Sequence, residues 1–478
     1  MYPAVVDVFG LWSYHGQTNR IDSNAAASTS SVVPQEKGRG KQKLQEQTGG
    51  VTEDWRSQSK HVLILSNAGK PIWALHGDEN ALAGLMAVVQ ALVSFVRDQG
   101  DTMQAIRAGK HRIVFMERGP FILVIASAQG EPDPVLLQQL QLIHGQVISI
   151  LSASVEKMFA RNPSYDVRKL LGATNHLLTA LVKSFDTDPS GLLSCLIPLP
   201  LKSNLRHSTL LSLQAAVKSA GAVFGVLLTQ DAIVALAQSR AHTLHPHDLL
   251  LLSNLIRSND SFRQAQTFTP VCLPRFNATA FLHAYVQYLD VEAGLCMVLL
   301  SAQADSFFAL AEAAEDLEKQ LKHTGVLQSI ASQVQSQPSC GWLDLASLPT
   351  QCGGGTAGSR PLLHFLYKSP TRPQAAMQRY AFVHTVMSGA KLPDSFKQQT
   401  GLPSAVGYSN TSMPYQQTVK QQVHWAFDGR ISVLAFVGPE YELYALFDAM
   451  TAKDTAMRIC HRLSVWIKGQ QADLFMPL

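Results

Sequence analysis

The spacing of apolar and polar positions is most informative between Lys60 and Val96. Val62 to Leu65 is an unbroken apolar run that predicts a buried strand, Ser66, Asn67 and Gly69 supply turn chemistry, and Ile72 to Leu75 predicts a second strand. A helix follows. Asp78 and Asn80 are placed to cap its start, Arg97 and Asp98 mark its end, and from Ala81 to Val96 only Gln90 and Ser94 are polar. A helix with one wet side carries a polar stripe, and this one has none, so it is expected to be covered on two sides. One cover is its own sheet. The other is expected to be a second protein, which nominates Leu85, Val88, Val89 and Leu92 on the helix and Asn67, Gly69 and Lys70 in the neighbouring turn as an interface.

The same order of elements recurs. After the helix, Arg112–Met116 and Phe121–Ser127 flank Glu117-Arg-Gly-Pro as a hairpin, and Asp133 with Pro134 opens a helix whose Leu136, Leu140, Ile143, Val147, Ile150 and Leu151 keep helical spacing. Another helix is expected over Thr174–Phe185. A second pass has strands at Val223–Leu228 and Ile233–Ala237 and a helix entered at His245-Pro246-His247-Asp248. Three further strands (Thr269–Leu273, Leu282–Leu289, Leu295–Ser301) then lead to a helix capped by Asp305. A third pass has a strand at Leu362–Tyr367, a helix at Ala375–Met387, a long polar loop from Ser388 to Gln421, strands at Val423–Phe427, Ile431–Val437 and Tyr441–Phe447, and a closing helix at Lys453–Lys468. The fold class is α/β of the α+β kind, with three units each holding a central antiparallel-rich sheet. The boundaries fall at 1–59 (tail), 60–187, 188–331, 332–360 (a Ser-, Gln- and Gly-rich linker) and 361–478. Residues 17 to 56 lack a periodic apolar pattern and are expected to be disordered, with a short basic run at Lys37, Arg39, Lys41 and Lys43.

Composition sharpens this reading in two ways. The chain is 46% hydrophobic and only 15% charged, against roughly 25% charged in ordinary globular domains, which points to large interfaces. The net charge of +4 over 478 residues, with basic residues scattered, argues against nucleic acid. The six cysteines form no CxxC pair, so neither a zinc site nor a disulfide framework is signalled. The longest apolar run is shorter than the roughly 20 residues that span a bilayer, so a cytoplasmic protein touching membranes peripherally is expected.

Motifs for chemistry are sparse. The run Gly353-Gly-Gly-Thr-Ala-Gly-Ser359 has phosphate-loop glycines but a serine where the lysine belongs, and reads as flexible linker. His242, His245, His247 and Asp248 suggest metal ligands, yet Pro246 and Asp248 suit the first turn of a helix better. No GxSxG, HExxH or dinucleotide fingerprint is present. No cofactor, metal or catalytic residue is nominated.

Several stretches carry a resemblance. LSNAGKPIWALHGDENALAG (65–84), ALVSFV (91–96), LHPHDLLLLSNLIRSNDSFR (244–263), FTPVCLPRFNATAFLHAYV (268–286) and YELYALFDAMTAKDTAMRIC (441–460) are similar, in the same order, to the SAND or Mon1 family of vacuolar fusion proteins, plant members above all. The resemblance implies three longin domains. It also implies a Ccz1-like partner subunit and, for the pair, guanine nucleotide exchange on a Rab7-type small GTPase at late endosomes and vacuoles. The first longin domain is implied to pair with its counterpart in the partner. A longin-based adaptor or tether without exchange activity is the alternative.

Overall fold

Three five-stranded sheets built in one strand order carry the chain in the computed structural model. It describes residues 57–477 apart from 78–81, 163–164, 189, 231, 239–240, 337–342, 344, 356–360, 370–373, 378–421, 428 and 430. The tail with its basic run, the caps proposed at Asp78 and Asn80, most of the helix expected at Ala375–Met387 and the Ser388–Gln421 loop therefore lie outside the described residues.

The first unit comprises β1 (Lys60–Ser66), β2 (Pro71–Ala74), α1 (Ala83–Asp98), β3 (Ala105–Ala108), β4 (His111–Arg118), β5 (Phe121–Ser127) and α2 (Asp133–Leu151). Its sheet has the order β2-β1-β5-β4-β3, and every pairing is antiparallel. Period-two alternation explains why β1 is apolar without a break from Val62 to Leu65. Val62 and Ile64 face α2, where they meet Leu136, Leu140 and Ile143, while Leu63 and Leu65 face α1, where they meet Met86, Val89 and Val93. A strand covered on both faces must be apolar throughout. The β4–β5 hairpin closes between Arg118 and Phe121 over Gly119-Pro120, with Gly119 at φ 53°. Asp133 is the first residue of α2 and makes no side-chain cap; its carboxylate instead takes Arg112 at 3.3 Å and Arg107 at 3.5 Å. Two further helices, α3 (Ser154–Arg161) and α4 (Asn175–Ser184), complete the α2 side.

The second unit begins with α5 (Ser203–Ser219), which periodicity did not announce because its buried face mixes Thr209 and Ser212 with Leu213 and Ala216. It continues through β6 (Phe224–Leu228), β7 (Ile233–Ala237), α6 (Pro246–Arg257), β8 (Thr267–Leu273), β9 (Ala278–Asp290), β10 (Leu295–Ser301), α7 (Phe307–His323) and α8 (Val326–Ser336). The cap of α7 falls at Ser306 rather than Asp305. The sheet order, β7-β6-β10-β9-β8, repeats the first permutation. The third unit has β11 (Leu362–Ser369), β12 (Gln374–Met377), β13 (Gln422–Phe427), β14 (Ile431–Val437), β15 (Glu442–Asp448) and α9 (Lys453–Gly469), in the order β12-β11-β15-β14-β13.

Two expectations are corrected here. Residues 374–377 form strand β12, not the start of a helix, because β11 folds back on them in register from Leu366↔Met377 to Ser369↔Gln374. Pairing with an existing strand outweighs the local helical preference of Ala-Ala-Met. The stretch read as flexible linker is also partly built into the fold. Leu345, Leu348 and Cys352 are buried in the third core with α9, and Gly354 is held so tightly that a Cβ there would sit 2.0 Å from the Leu348 carbonyl oxygen.

The units interlock. Leu251 of α6 enters the core of the first unit, and the Asn254 side-chain amide donates to Gln146 of α2 (2.9 Å) and to the Leu177 carbonyl of α4 (3.0 Å). Residues 193–199 then run as a connector between sheets. Leu196 bridges Gln374 of β12, Pro198 bridges Ile233 of β7, and Leu193, Cys195 and Ile197 fill one face of the third sheet.

Candidate functional site

Helix α1 divides its residues by helical period. Leu82, Met86, Val89 and Val93 point at the sheet and are almost wholly buried. At roughly 1.5–3 kcal/mol for each large apolar side chain removed from water, this stripe alone fastens the helix. The opposite side holds Gly84, Ala87 and Ala91, all exposed, and Phe95 at 67% exposure, with half-buried Val88 and Leu92 along one margin, while half-buried Leu85 packs against the core under the helix. Its two polar residues satisfy each other, the Gln90 amide donating to the Ser94 hydroxyl at 3.0 Å.

The turn nominated beside the helix is indeed beside it. Gly69, at φ 77°, comes so close to Gln90 that a Cβ would sit 3.3 Å from the Gln90 Cγ. Asn67 is exposed; its side-chain amide donates to the Gly119 carbonyl at 3.0 Å and its backbone N–H to Pro120 at 2.9 Å, so the β1–β2 and β4–β5 turns form one ledge. Lys70 is exposed on that ledge, and its N–H donates to the Ser66 hydroxyl at 3.1 Å. At the C-terminal end of the helix Arg97 pairs with Glu117. The turn with Asn67, Gly69 and Lys70 thus meets the helix on the flank of Gln90, whereas Leu85, Val88 and Leu92 lie on the other flank, about 140–160° around the helix from it, so the nominated residues are not brought together as one patch. Val89 is not on the surface: at 5% exposure it packs on the sheet, since it lies one turn from Met86 and Val93 on the inward stripe. The outward positions that sequence reasoning passed over are Gly84, Ala87, Ala91 and Phe95; steps of three and four from Val88 reach Gly84 and Ala91, and a step of four from Ala91 reaches Ala87 and Phe95.

The matching helix of the second unit has a different fate. Like α1, α6 follows the second strand of its unit and lies on its own sheet through Leu249, Leu252 and Ile256. Its other side is buried against the first unit through Leu251 and Asn254. In the second unit the outer side of this helix is thus a seat filled from within the chain, by the first unit.

The histidine-rich entry to α6 serves the fold. His245 Nδ1 accepts from the His247 N–H (3.1 Å) as the cap, and His247 Nε2 lies 2.8 Å from the Ser194 hydroxyl and 3.2 Å from the Gly191 carbonyl. Asp248, fully buried, accepts from the backbone N–H of Arg275 (3.0 and 3.1 Å) and Phe276 (2.8 Å). Burial holds the His247 imidazole down at about 4 and pushes the Asp248 carboxyl up to about 6. Among the described residues no group of three or more His, Cys, Asp or Glu is placed to hold a metal ion.

Comparison with known proteins agrees with this architecture. The first, second and third longin domains of FUZ, MON1 and HPS1 match residues 60–181, 220–317 and 361–471, which defines the chain as a protein of three longin domains. It is 34% identical over 444 residues to the vacuolar fusion protein MON1 homolog of Arabidopsis thaliana, covering 89% of this chain and 70% of that protein. To the homolog of Oryza sativa subsp. japonica it is 33% identical over 447 residues, 89% of this chain and 76% of that protein. To homolog A of Homo sapiens it is 30% identical over 431 residues, covering 89% and 62%. The chain belongs to the MON1 family of vacuolar fusion proteins.

Proposed function

We propose that this protein acts in vacuolar trafficking as one subunit of a guanine nucleotide exchange factor, pairing through the outer side of α1 with a Ccz1-like subunit. The joint surface then engages a Rab7-type small GTPase of the late endosome and vacuole. The observation that carries the proposal is the open apolar side of α1, set against the filled seat on α6. Leaving such a surface in water costs about 25 cal/mol per Å², so a covering partner is stabilising.

Exchange activity of this kind needs no acid, base or nucleophile from the chain. The surface must bind the GTPase more tightly when its nucleotide is loosened than when it is held, and that difference alone shifts the equilibrium towards release. The apolar, uncharged lining of α1 suits shape recognition of this sort. No single helix among the described residues is long and apolar enough to cross a membrane, which accords with peripheral recruitment to the vacuolar surface.

The test is release of fluorescent GDP from a Rab7-type GTPase by the purified two-subunit complex. Acceleration supports the proposal. An intact complex that leaves release unchanged, and that prefers the GTP-bound form, would favour a longin-based tether instead.

A further inference from the structure

Helices α1 and α6 hold the same place in their repeats, and their sheet-facing residues bring them into one register. Met86, Val89 and Val93 of α1 lie on the first sheet and Leu249, Leu252 and Ile256 of α6 on the second, each series stepping by three and then by four. Setting one series on the other matches Ala87 to Leu250, Val88 to Leu251 and Ala91 to Asn254. All six lie towards the far side of the helix, roughly 125–170° around it from their own sheet.

On α6 these positions are covered by α2 and α4 of the first unit. Leu251 enters that unit's core, its Cδ1 lying 3.1 Å from where a Cβ on Gly145 would sit, and Leu250 packs against the same core. Asn254 supplies the polar contact: its amide donates to Gln146 Oε1 of α2 at 2.9 Å and to the Leu177 carbonyl of α4 at 3.0 Å. On α1 the matching residue is Ala91, whose side chain has nothing to donate, and the smaller Ala87 and Val88 stand in place of Leu250 and Leu251. The two helices therefore require different covers, one with a buried acceptor and one without.

We propose that Ala91 and Asn254 assign the two helices to different covers, and that α1 is received by a two-helix face on a longin-type unit of the companion subunit, built like α2 and α4 but apolar where this chain has Gln146. The inference rests on the pairing proposed above and adds the surface that the companion brings. A second copy of this chain does not fit, on two counts. Its own α2 and α4 already hold α6. Were that face vacated, Ala91 seated there would set a methyl group against the acceptor of Gln146, a residue with 0% exposure. The converse mismatch, Asn254 on an apolar face, buries an amide without an acceptor, so each seat rejects the other's cover. Gly84, Ala87 and Ala91 are small enough for close approach along the helix, and Phe95, 67% exposed, stands at the end of their row as an apolar anchor.

The test is capture of the purified companion subunit by the full chain, read by sedimentation over a concentration series. Ala91→Asn, which gives α1 the residue that α6 carries, is expected to weaken capture by about tenfold, because its amide is buried against an apolar face. Gln90→Asn, the same residue placed off that face, is expected to leave capture unchanged, which separates the effect from a general weakening of the helix. Equal losses in the two variants, or no loss in Ala91→Asn, overturn the inference. A photoreactive benzoylphenylalanine in place of the exposed Phe95 gives a second reading. It is expected to join the companion on the helix that follows the fifth strand of one of its longin units, the counterpart of α2, or on the counterpart of α4. Attachment only to a sheet edge, to the GTPase or to lipid overturns the inference. A wild-type chain that captures the companion and accelerates GDP release while failing these tests leaves the exchange proposal standing, whereas one that captures nothing overturns both.

Discussion

Asp248 joins two elements far apart in sequence: it stands in the first turn of α6 and accepts from the backbone at Arg275 and Phe276. Replacing it with alanine leaves two buried N–H groups without an acceptor, at about 1–3 kcal/mol each. Asp248→Ala is expected to lower the urea unfolding midpoint by an amount worth about 2–5 kcal/mol, with Asp248→Asn intermediate. The neighbouring ionisations set the response to acid. His61 and His247, both nearly buried, remain neutral in the fold down to about 4, whereas an unfolded imidazole takes its proton near 6.5. Between those values the unfolded state binds more protons, so stability falls as pH falls, by up to about 1.4 kcal/mol per pH unit for each histidine. Asp248 acts in the opposite sense. Its carboxyl is protonated in the fold near 6 and in the unfolded chain near 3.8, so it stabilises the fold as pH falls through that window and offsets one of the two histidines. Denaturation at pH 7 and pH 4.5 is expected to show a net loss on acidification, and Asp248→Asn, which removes the offset, is expected to steepen it. In sequence these residues resembled metal ligands because their partners, Ser194, Arg275 and Phe276, lie too far along the chain for spacing to reveal.

At the scale of the element, α1 was the most legible part of the chain, since the lack of a polar stripe is visible in one dimension. Which residues point outward was less so: Val89 and Val88 are adjacent and chemically identical, and only the helix's rotation over Leu63 and Leu65 separates them. Val88→Asp is therefore expected to abolish capture of the partner subunit while leaving the circular dichroism spectrum unchanged. Met86→Asp, placing an unpaired charge at a position with 0% exposure, is expected to unfold the first unit. Gly84→Ala makes the complementary point. It is exposed, meets nothing within 4 Å, and should stabilise the isolated chain by up to about 1 kcal/mol in thermal denaturation. Gly354→Ala should do the reverse, because its Cβ would collide with backbone. Elements that sequence missed, β3 and α5, are respectively very short and weakly patterned, and β12 is a strand only because β11 is there to receive it.

Across the whole molecule, the three repeats are readable in the order of elements, while their docking is not, for it depends on pairs such as Leu196 with Gln374 that lie 178 positions apart. The Gln374 side chain exchanges two hydrogen bonds with the Met476 backbone, at 2.7 and 3.0 Å, in a site sealed from solvent. Gln374→Leu is expected to loosen the chain's last residues and make them susceptible to limited proteolysis, with little change in secondary structure. The filled seat on α6 has a consequence for stoichiometry. A protein made of repeated units, each with the same adhesive helix, could string together end over end without limit. Of the two described helices of this kind, the second is covered by the chain's own first unit and α1 is left open, so on the proposed pairing the valence towards a companion subunit at these two helices is held at one.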